Sequence, residues 1–264
     1  MKKENSIELK EQGYTIIRNL VNENWLDLLR DALDKAFIEH RETQLNNHND
    51  IQTNGVALHV LLSNPIFINL LEDIQSKKFF EFLSESFFNS KCIINSFSGL
   101  DNLPNQPNFS AIVHRDLRFY SGDFPIMLNC LLMVDDFTIE NGATYLLPYS
   151  HLDKKKPSDE EFFQNAIQAV GKKGDMIVFN ANVWHSSALN ITQDHRRAIP
   201  ITVSKPFMKQ LLDYPRAIGY DRIDEFSFEL QQLLGYHSRV PASLYEWYQP
   251  ENKRFYKKDQ DQII

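Results

Sequence analysis

In "NENWLDLLRDALDKAF" the apolar residues fall three and four apart, at Trp25, Leu28, Leu29, Ala32, Leu33, Ala36 and Phe37. That spacing lines one face of an amphipathic helix, with Asn22 or Asn24 as its cap. Asn64-Pro65 opens a second helix over "IFINLLEDI", where the missing proline N–H does no harm. A third is predicted over "KKFFEFLSESFF". From Ile93 to Ser204 the period changes to short apolar runs: "CIINSF", "SAIVHRD", "IMLNCLLMV", "TYLLP", "DMIVFN" and "AIPITVS". Each is bounded by Gly, Pro, Asn or Asp, the punctuation of an antiparallel, many-stranded structure. Asn141-Gly142 marks a turn between two of them. "SDEEFFQNAIQAV" begins with a Ser158/Glu161 capping box and predicts a helix inserted between strands. Beyond Lys205 the pattern is irregular, with one helix ending at Gly235.

These elements predict a mainly β fold with flanking α-helices in one domain spanning 1–264. Residues 1–90 are its helical support, 91–205 its core and 206–264 an extension expected to shape or cover a pocket. The 264 residues are 42% hydrophobic and 24% charged, enough for a sizeable core. A net charge of -7 argues against a nucleic-acid binder, which needs clustered Lys and Arg. The two cysteines, Cys92 and Cys130, sit among apolar residues and are expected to be buried free thiols. The N-terminus has no apolar signal core, and no segment approaches the roughly 18 apolar residues of a membrane span. A reducing, cytoplasmic setting without membrane contact is the corresponding expectation.

"VHRDLRFY", Val113 to Tyr120, admits two chemistries. His-Arg-Asp-Leu opens a protein-kinase catalytic loop, and Asp136-Phe137-Thr138 stands near where Asp-Phe-Gly would be. The remaining kinase parts are missing from the sequence: Ser121 replaces the metal-binding Asn, no Gly-rich loop exists, and helices occupy the place of a stranded lobe. The second chemistry is a metal site. On a strand, His114 and Asp116 point to the same side with Arg115 turned away. His185, after the strand Asp175 to Asn180, supplies a third ligand. Two imidazoles and one carboxylate form the facial triad of non-haem Fe(II) oxygenases, with open positions for O2 chemistry. Arg196, eleven residues on, offers a guanidinium fork for the far carboxylate of 2-oxoglutarate.

The chain resembles the phytanoyl-CoA dioxygenase family of Fe(II)/2-oxoglutarate oxygenases over almost its whole length. The resemblance is carried by "ELKEQGYTIIRNLVNENWLDLLRDAL", "HRD", "LLMVDDFTIENGATYLLPYSH", "GDMIVFNANVWHSSALN" and the arginine after it. It implies a double-stranded β-helix, the jelly roll of cupin-like proteins. It also implies iron at His114, Asp116 and His185, and 2-oxoglutarate at Arg196, with Ser187, Thr144 and Asn129 beside it. Tyr149 departs from the family, whose members usually carry glycine there. Related halogenases have a small residue in place of Asp116 to admit chloride, so the carboxylate implies hydroxylation or a kindred oxidation of a small molecule.

Alternatives stay open at this level. A cupin-like metalloprotein would use the triad without 2-oxoglutarate, and a binding protein would not need turnover. Arg197 competes with Arg196, but strand alternation admits one into the barrel and family spacing favours Arg196. Arg118 continues the parity of His114 and Asp116 toward an anionic substrate; the favoured alternative ends the strand at Asp116 and pairs Arg118 with a surface acid. His195 is expected at the surface and His151 in a structural hydrogen bond. Phe119, Tyr120 and Trp184 are expected in the core or at its rim.

Overall fold

The computed structural model describes residues 1–50, 55–107 and 111–260. Its helices are α1 (Lys3–Glu11), α2 (Glu23–Asn46), α3 (Pro65–Ser76), α4 (Phe79–Leu83), α5 (Asp159–Asn165), α6 (Tyr214–Ile218), α7 (Phe228–Leu234) and α8 (Leu244–Trp247). Its strands are β1 (Tyr14–Ile17), β2 (Val56–Ala57), β3 (Ile93–Phe97), β4 (Gly99–Asn102), β5 (Met127–Met133), β6 (Tyr145–Leu146), β7 (Ile167–Gln168), β8 (Met176–Asn180), β9 (His185–Ser186) and β10 (Arg196–Ser204). The order β1-β8-β5-β10-β4-β2, with β3 also on β10, makes one antiparallel sheet, and β7-β6-β9 makes a smaller second one. This is the expected mainly β jelly roll with flanking helices.

Alternation along the central strands decides what faces the site. Leu128, Cys130 and Leu132 of β5, Met176 and Val178 of β8, and Ile199, Ile201 and Val203 of β10 pack with α1, α2, α3, α4 and α7 in one core. The intervening Leu131, Met133, Ile177, Phe179 and Ala198 pack with Phe137, Leu146 and Ala169 in a second core toward the smaller sheet. Both faces are buried, so these strands read as unbroken apolar runs. Arg197 falls on the helix side, where it bonds Asp34 of α2 at 2.9 and 3.1 Å. Arg196 falls on the opposite side, with Ala198, Pro200 and Thr202.

Pro200 sits mid-strand, an unusual place for a residue without an N–H. It accepts from the Ser98 N–H at 2.9 Å and cannot return the bond. The neighbouring strand breaks at Ser98, into β3 and β4.

The helices differ in detail from their sequence pattern. α2 begins after Asn22 and runs past Phe37 to Asn46, and Leu28 is 54% exposed where the periodicity placed it inside. Asn64 caps α3 through Ile66 N–H, and Ser158 with Glu161 forms the capping box of α5. "KKFFEFLSESFF" gives α4 followed by a π-helical turn. α7 ends at Gly235, whose φ of 94° is left-handed. The sequence pattern does not show α1, α6, α8 or the short strands β1, β2, β4, β7 and β9, and the helix it predicts over "SDEEFFQNAIQAV" ends at Asn165, before β7. Cys92 and Cys130 are buried free thiols, and burial raises both pKa values, that of Cys92 to about 11. No helix among the described residues is long and apolar enough to cross a membrane.

Candidate active site

The run "SAIVHRD" does not form the expected strand. Ser110 lies outside the described residues, and Ala111 to Tyr120 is bent chain with a single bridge, His114 opposite His185. That bridge sets the two imidazoles. The His114 N–H donates to the His185 carbonyl at 3.0 Å, and the reverse bond is 2.9 Å. Residues paired this way project to the same side, and the ring centroids lie 4.2 Å apart. His114 Nδ1 donates to the Ile112 carbonyl at 2.6 Å and His185 Nδ1 to the Val183 carbonyl at 3.0 Å. A carbonyl can only accept, so both Nε2 atoms keep a lone pair for a metal.

Asp116 closes the group. Its Oδ1 is 3.6 Å from His114 Nε2 and its Oδ2 3.6 Å from His185 Nε2. The three ligand atoms lie within 4.8 Å of one another. Ligands about 2.1 Å from one ion and at right angles would stand about 3 Å apart, so the group must draw together by up to about 1.8 Å to hold an ion. Asn129 Nδ2 donates to Asp116 Oδ2 at 2.5 Å, and Thr202 Oγ1 donates to Asn129 Oδ1 at 3.2 Å. Asn129, expected beside the cosubstrate, lines the cleft and spends its amide N–H on Asp116. Phe179 packs on His185 with centroids 4.9 Å apart. Burial holds His185 below the ordinary histidine range; Asp116 opposes the shift and His114 adds to it.

Arg115 points away from the triad, as its place between the ligands predicts. Its guanidinium lies 4.3 Å from the Trp184 ring and 5.4 Å from the Tyr120 ring. It donates to the carbonyls of Ser150, Asp153 and Lys154. Tyr120 and Trp184 thus flank a structural cation.

A cleft of about 810 Å³ surrounds the triad, lined among others by Thr144, Ser187, Asn129, Thr202 and Arg118. Met208, Lys209 and Leu211 of the C-terminal segment form part of its wall. Arg118 is exposed and makes no ion pair among the described residues, so the expected surface acid is absent. Phe119, expected in the core or at its rim, is 56% exposed and lines the cleft. His195 is half exposed, bonding Asp101 at 2.6 Å, and His151 is buried with Nε2 on the Lys10 carbonyl at 3.2 Å.

Arg196 is fully buried, its guanidinium 4.2 Å from the Phe137 ring. Nε and both terminal nitrogens have no hydrogen-bond partner among the described residues. Burial lowers its pKa to about 10, with Asp101 and Asp135 opposing, which leaves it charged at neutral pH. Burying a cation costs several kcal/mol, which Asp101 and Asp135 offset only in part because neither bonds the guanidinium among the described residues. On this strand face the cleft wall ends at Pro200, roughly 13 Å along β10 from Arg196 at ~3.3 Å per residue.

The sequence model of the phytanoyl-CoA dioxygenase family matches residues 9–198. The chain belongs to this family. The uncharacterized protein Rv1501 of Mycobacterium tuberculosis is 29% identical over 259 residues, covering 94% of this chain and 92% of that one. Dioxygenase andF of Emericella variicolor is 22% identical over 246 residues, covering 87% and 83%. Among solved structures, AviO1 from Streptomyces viridochromogenes aligns with a TM-score of 0.59 over 78% of this chain and 96% of that chain, at 14% identity. EvdMO1 gives the same score over 77% of this chain and 50% of that chain, at 17% identity. These two likenesses are of fold. Membership of the phytanoyl-CoA dioxygenase family makes the protein an oxygenase. At Tyr149 φ is 65°, the left-handed region that glycine adopts most readily.

Proposed function

We propose that the protein is an Fe(II)- and 2-oxoglutarate-dependent dioxygenase that hydroxylates an unactivated C–H bond of a small molecule. The donor set fits the metal: two neutral Nε2 atoms and one carboxylate, His114, His185 and Asp116, open on the cleft side. Iron with 2-oxoglutarate and O2 supplies an oxidant strong enough for such a bond, with succinate and CO2 as co-products. The chain's residues do the rest. The carbonyls of Ile112 and Val183 hold the imidazole tautomers, and Asn129 holds the carboxylate. Arg196 receives the distal carboxylate of 2-oxoglutarate, with Ser187 and Thr144 beside it. The apolar cleft excludes water so that the oxidant meets its target. In this reading residues 1–264 act as one oxygenase domain, 1–90 in support, 91–205 carrying the site and 206–264 closing one wall.

The observation that carries the reading is the buried guanidinium of Arg196, whose three nitrogens have no hydrogen-bond partner among the described residues. Anaerobic loading with Fe(II), followed by 2-oxoglutarate and O2, tests it. One iron per chain and succinate formation are expected, both lost in His114→Ala; normal activity in that variant defeats the assignment. A second reading is a cupin-like metalloenzyme that does not use 2-oxoglutarate. It is favoured by the absence of Arg196 from the cleft lining, and it predicts turnover without that cosubstrate.

A further inference from the structure

The cleft around the triad exceeds what a five-carbon diacid fills, and at about 810 Å³ it lies in the range of pockets for drug-sized molecules, roughly 300–1,000 Å³. Most of its lining is apolar, and its charged residues are three: Asp116, Arg118 and Lys209. Asp116 faces the imidazoles. Two cations remain.

Their situation departs from the rest of the molecule. The sequence carries 35 acidic and 28 basic residues, so a patch taken at random is more often acidic. Arg18, Arg30, Arg197 and Arg222 each have a carboxylate within 2.9 Å. Arg118 and Lys209 have none among the described residues. The cleft wall also leaves apolar side chains in water: Leu58, Phe119 and Leu211 are 51%, 56% and 71% exposed. A ligand lying across them would cover that area.

We propose that the substrate is an amphipathic anion, whose apolar skeleton occupies the cleft and whose oxyanion, a carboxylate by preference, is held by Arg118 with Lys209 adding charge. The guanidinium fork matches a carboxylate in two parallel hydrogen bonds, and the ammonium contributes a point charge. A neutral or cationic compound of the same skeleton gains neither. The proposal deepens the oxygenase reading by naming what lies beside the metal, and it rests on that reading for the reaction alone.

The test is calorimetric titration of the full chain, metal-free and loaded with Fe(II) and 2-oxoglutarate without O2. The probes are octanoate, decanoate and dodecanoate, each against its primary amide. The tightest alkanoate is expected to bind about tenfold or more tighter than its amide, the advantage of a charge-assisted over a neutral contact. In Arg118→Gln that ratio falls toward one while the amide's affinity holds; Arg118→Lys restores part of it. Circular dichroism confirms that the variants fold. The proposal is overturned if no alkanoate binds tighter than its amide, or if the preference survives in the Arg118→Gln/Lys209→Gln double variant, which would place the oxyanion elsewhere. Failure of the wild type to hold iron would defeat the oxygenase reading instead, while the metal-free titration still decides this one.

Discussion

Asn129 gives its amide N–H to Asp116 Oδ2 at 2.5 Å while its carbonyl takes the Thr202 hydroxyl at 3.2 Å. The hydroxyl fixes which end of the amide faces the carboxylate, and the amide fixes the carboxylate for a metal. Asn129→Leu keeps the shape and removes the donor. We expect iron affinity to fall about 10–100-fold in metal titrations, with the fold intact. Thr202→Val frees the amide to flip and costs less.

Arg115 couples the two ligand-bearing segments from outside. It stacks on Trp184, next to His185, while its own backbone joins His114 to Asp116. Arg115→Lys keeps the charge but cannot reach the carbonyls of Ser150, Asp153 and Lys154 in one planar fork. The expected outcome is weaker iron binding together with a lower Tm, and a larger loss of both in Arg115→Ala. Unchanged iron affinity in both variants would show that this clamp does not align the ligands.

Tyr149 adopts φ 65° and is 60% exposed, so it bears left-handed strain with little packing in return. An L side chain there costs roughly 1–2 kcal/mol, against roughly 0.5–1 kcal/mol of extra chain entropy for glycine. Tyr149→Gly should therefore stabilise the fold by about 0.5–1 kcal/mol in urea unfolding. A destabilised variant would mean that the ring contributes packing.

His151 carries a pH dependence. Its Nε2 holds the Lys10 carbonyl, while Nδ1, beside Gly13, is buried with no hydrogen-bond partner among the described residues. Burial pushes its pKa below the ordinary value of about 6.5, with the Lys10 carbonyl opposing and Arg115 adding to the shift. The unfolded chain therefore takes the proton first. Stability is full above about pH 6.5 and falls as pH drops below it, until the folded form also protonates. Burial lowers His40, His59 and His237 in the same direction, so the fall is shared. His151→Gln should flatten, not abolish, the drop in Tm between about pH 7 and pH 5.

Much of this was legible in the sequence where local chemistry decides. The capping box at Ser158, Pro65 at the start of α3 and the apolar runs of β5, β8 and β10 depend on neighbours along the chain. The identity of the triad was legible too, but not the reason for its geometry. His114 and Asp116 were assigned to a pleated strand; instead a two-residue bridge to His185 orients the imidazole, and a bend brings in the carboxylate. Parity therefore could not place Arg118. α1, β1, β2, β4 and β7 were missed because they are short and take their stability from distant partners, as β1 does from β8. The supports of Asn129 and Arg196, Thr202 and Phe137, are 73 and 59 residues away in sequence, and no spacing rule reaches them.

The central claim is that Arg196 is the anion partner of a cosubstrate bound beside the iron. The most direct measurement is calorimetric binding of 2-oxoglutarate to the Fe(II)-loaded protein without O2, in the wild type and in Arg196→Ala. The account predicts one molecule per chain in the wild type and at least about a hundredfold loss in the variant, the scale of removing a buried bidentate charge pair. Equal affinity in the two proteins, or no binding in the wild type, would contradict it.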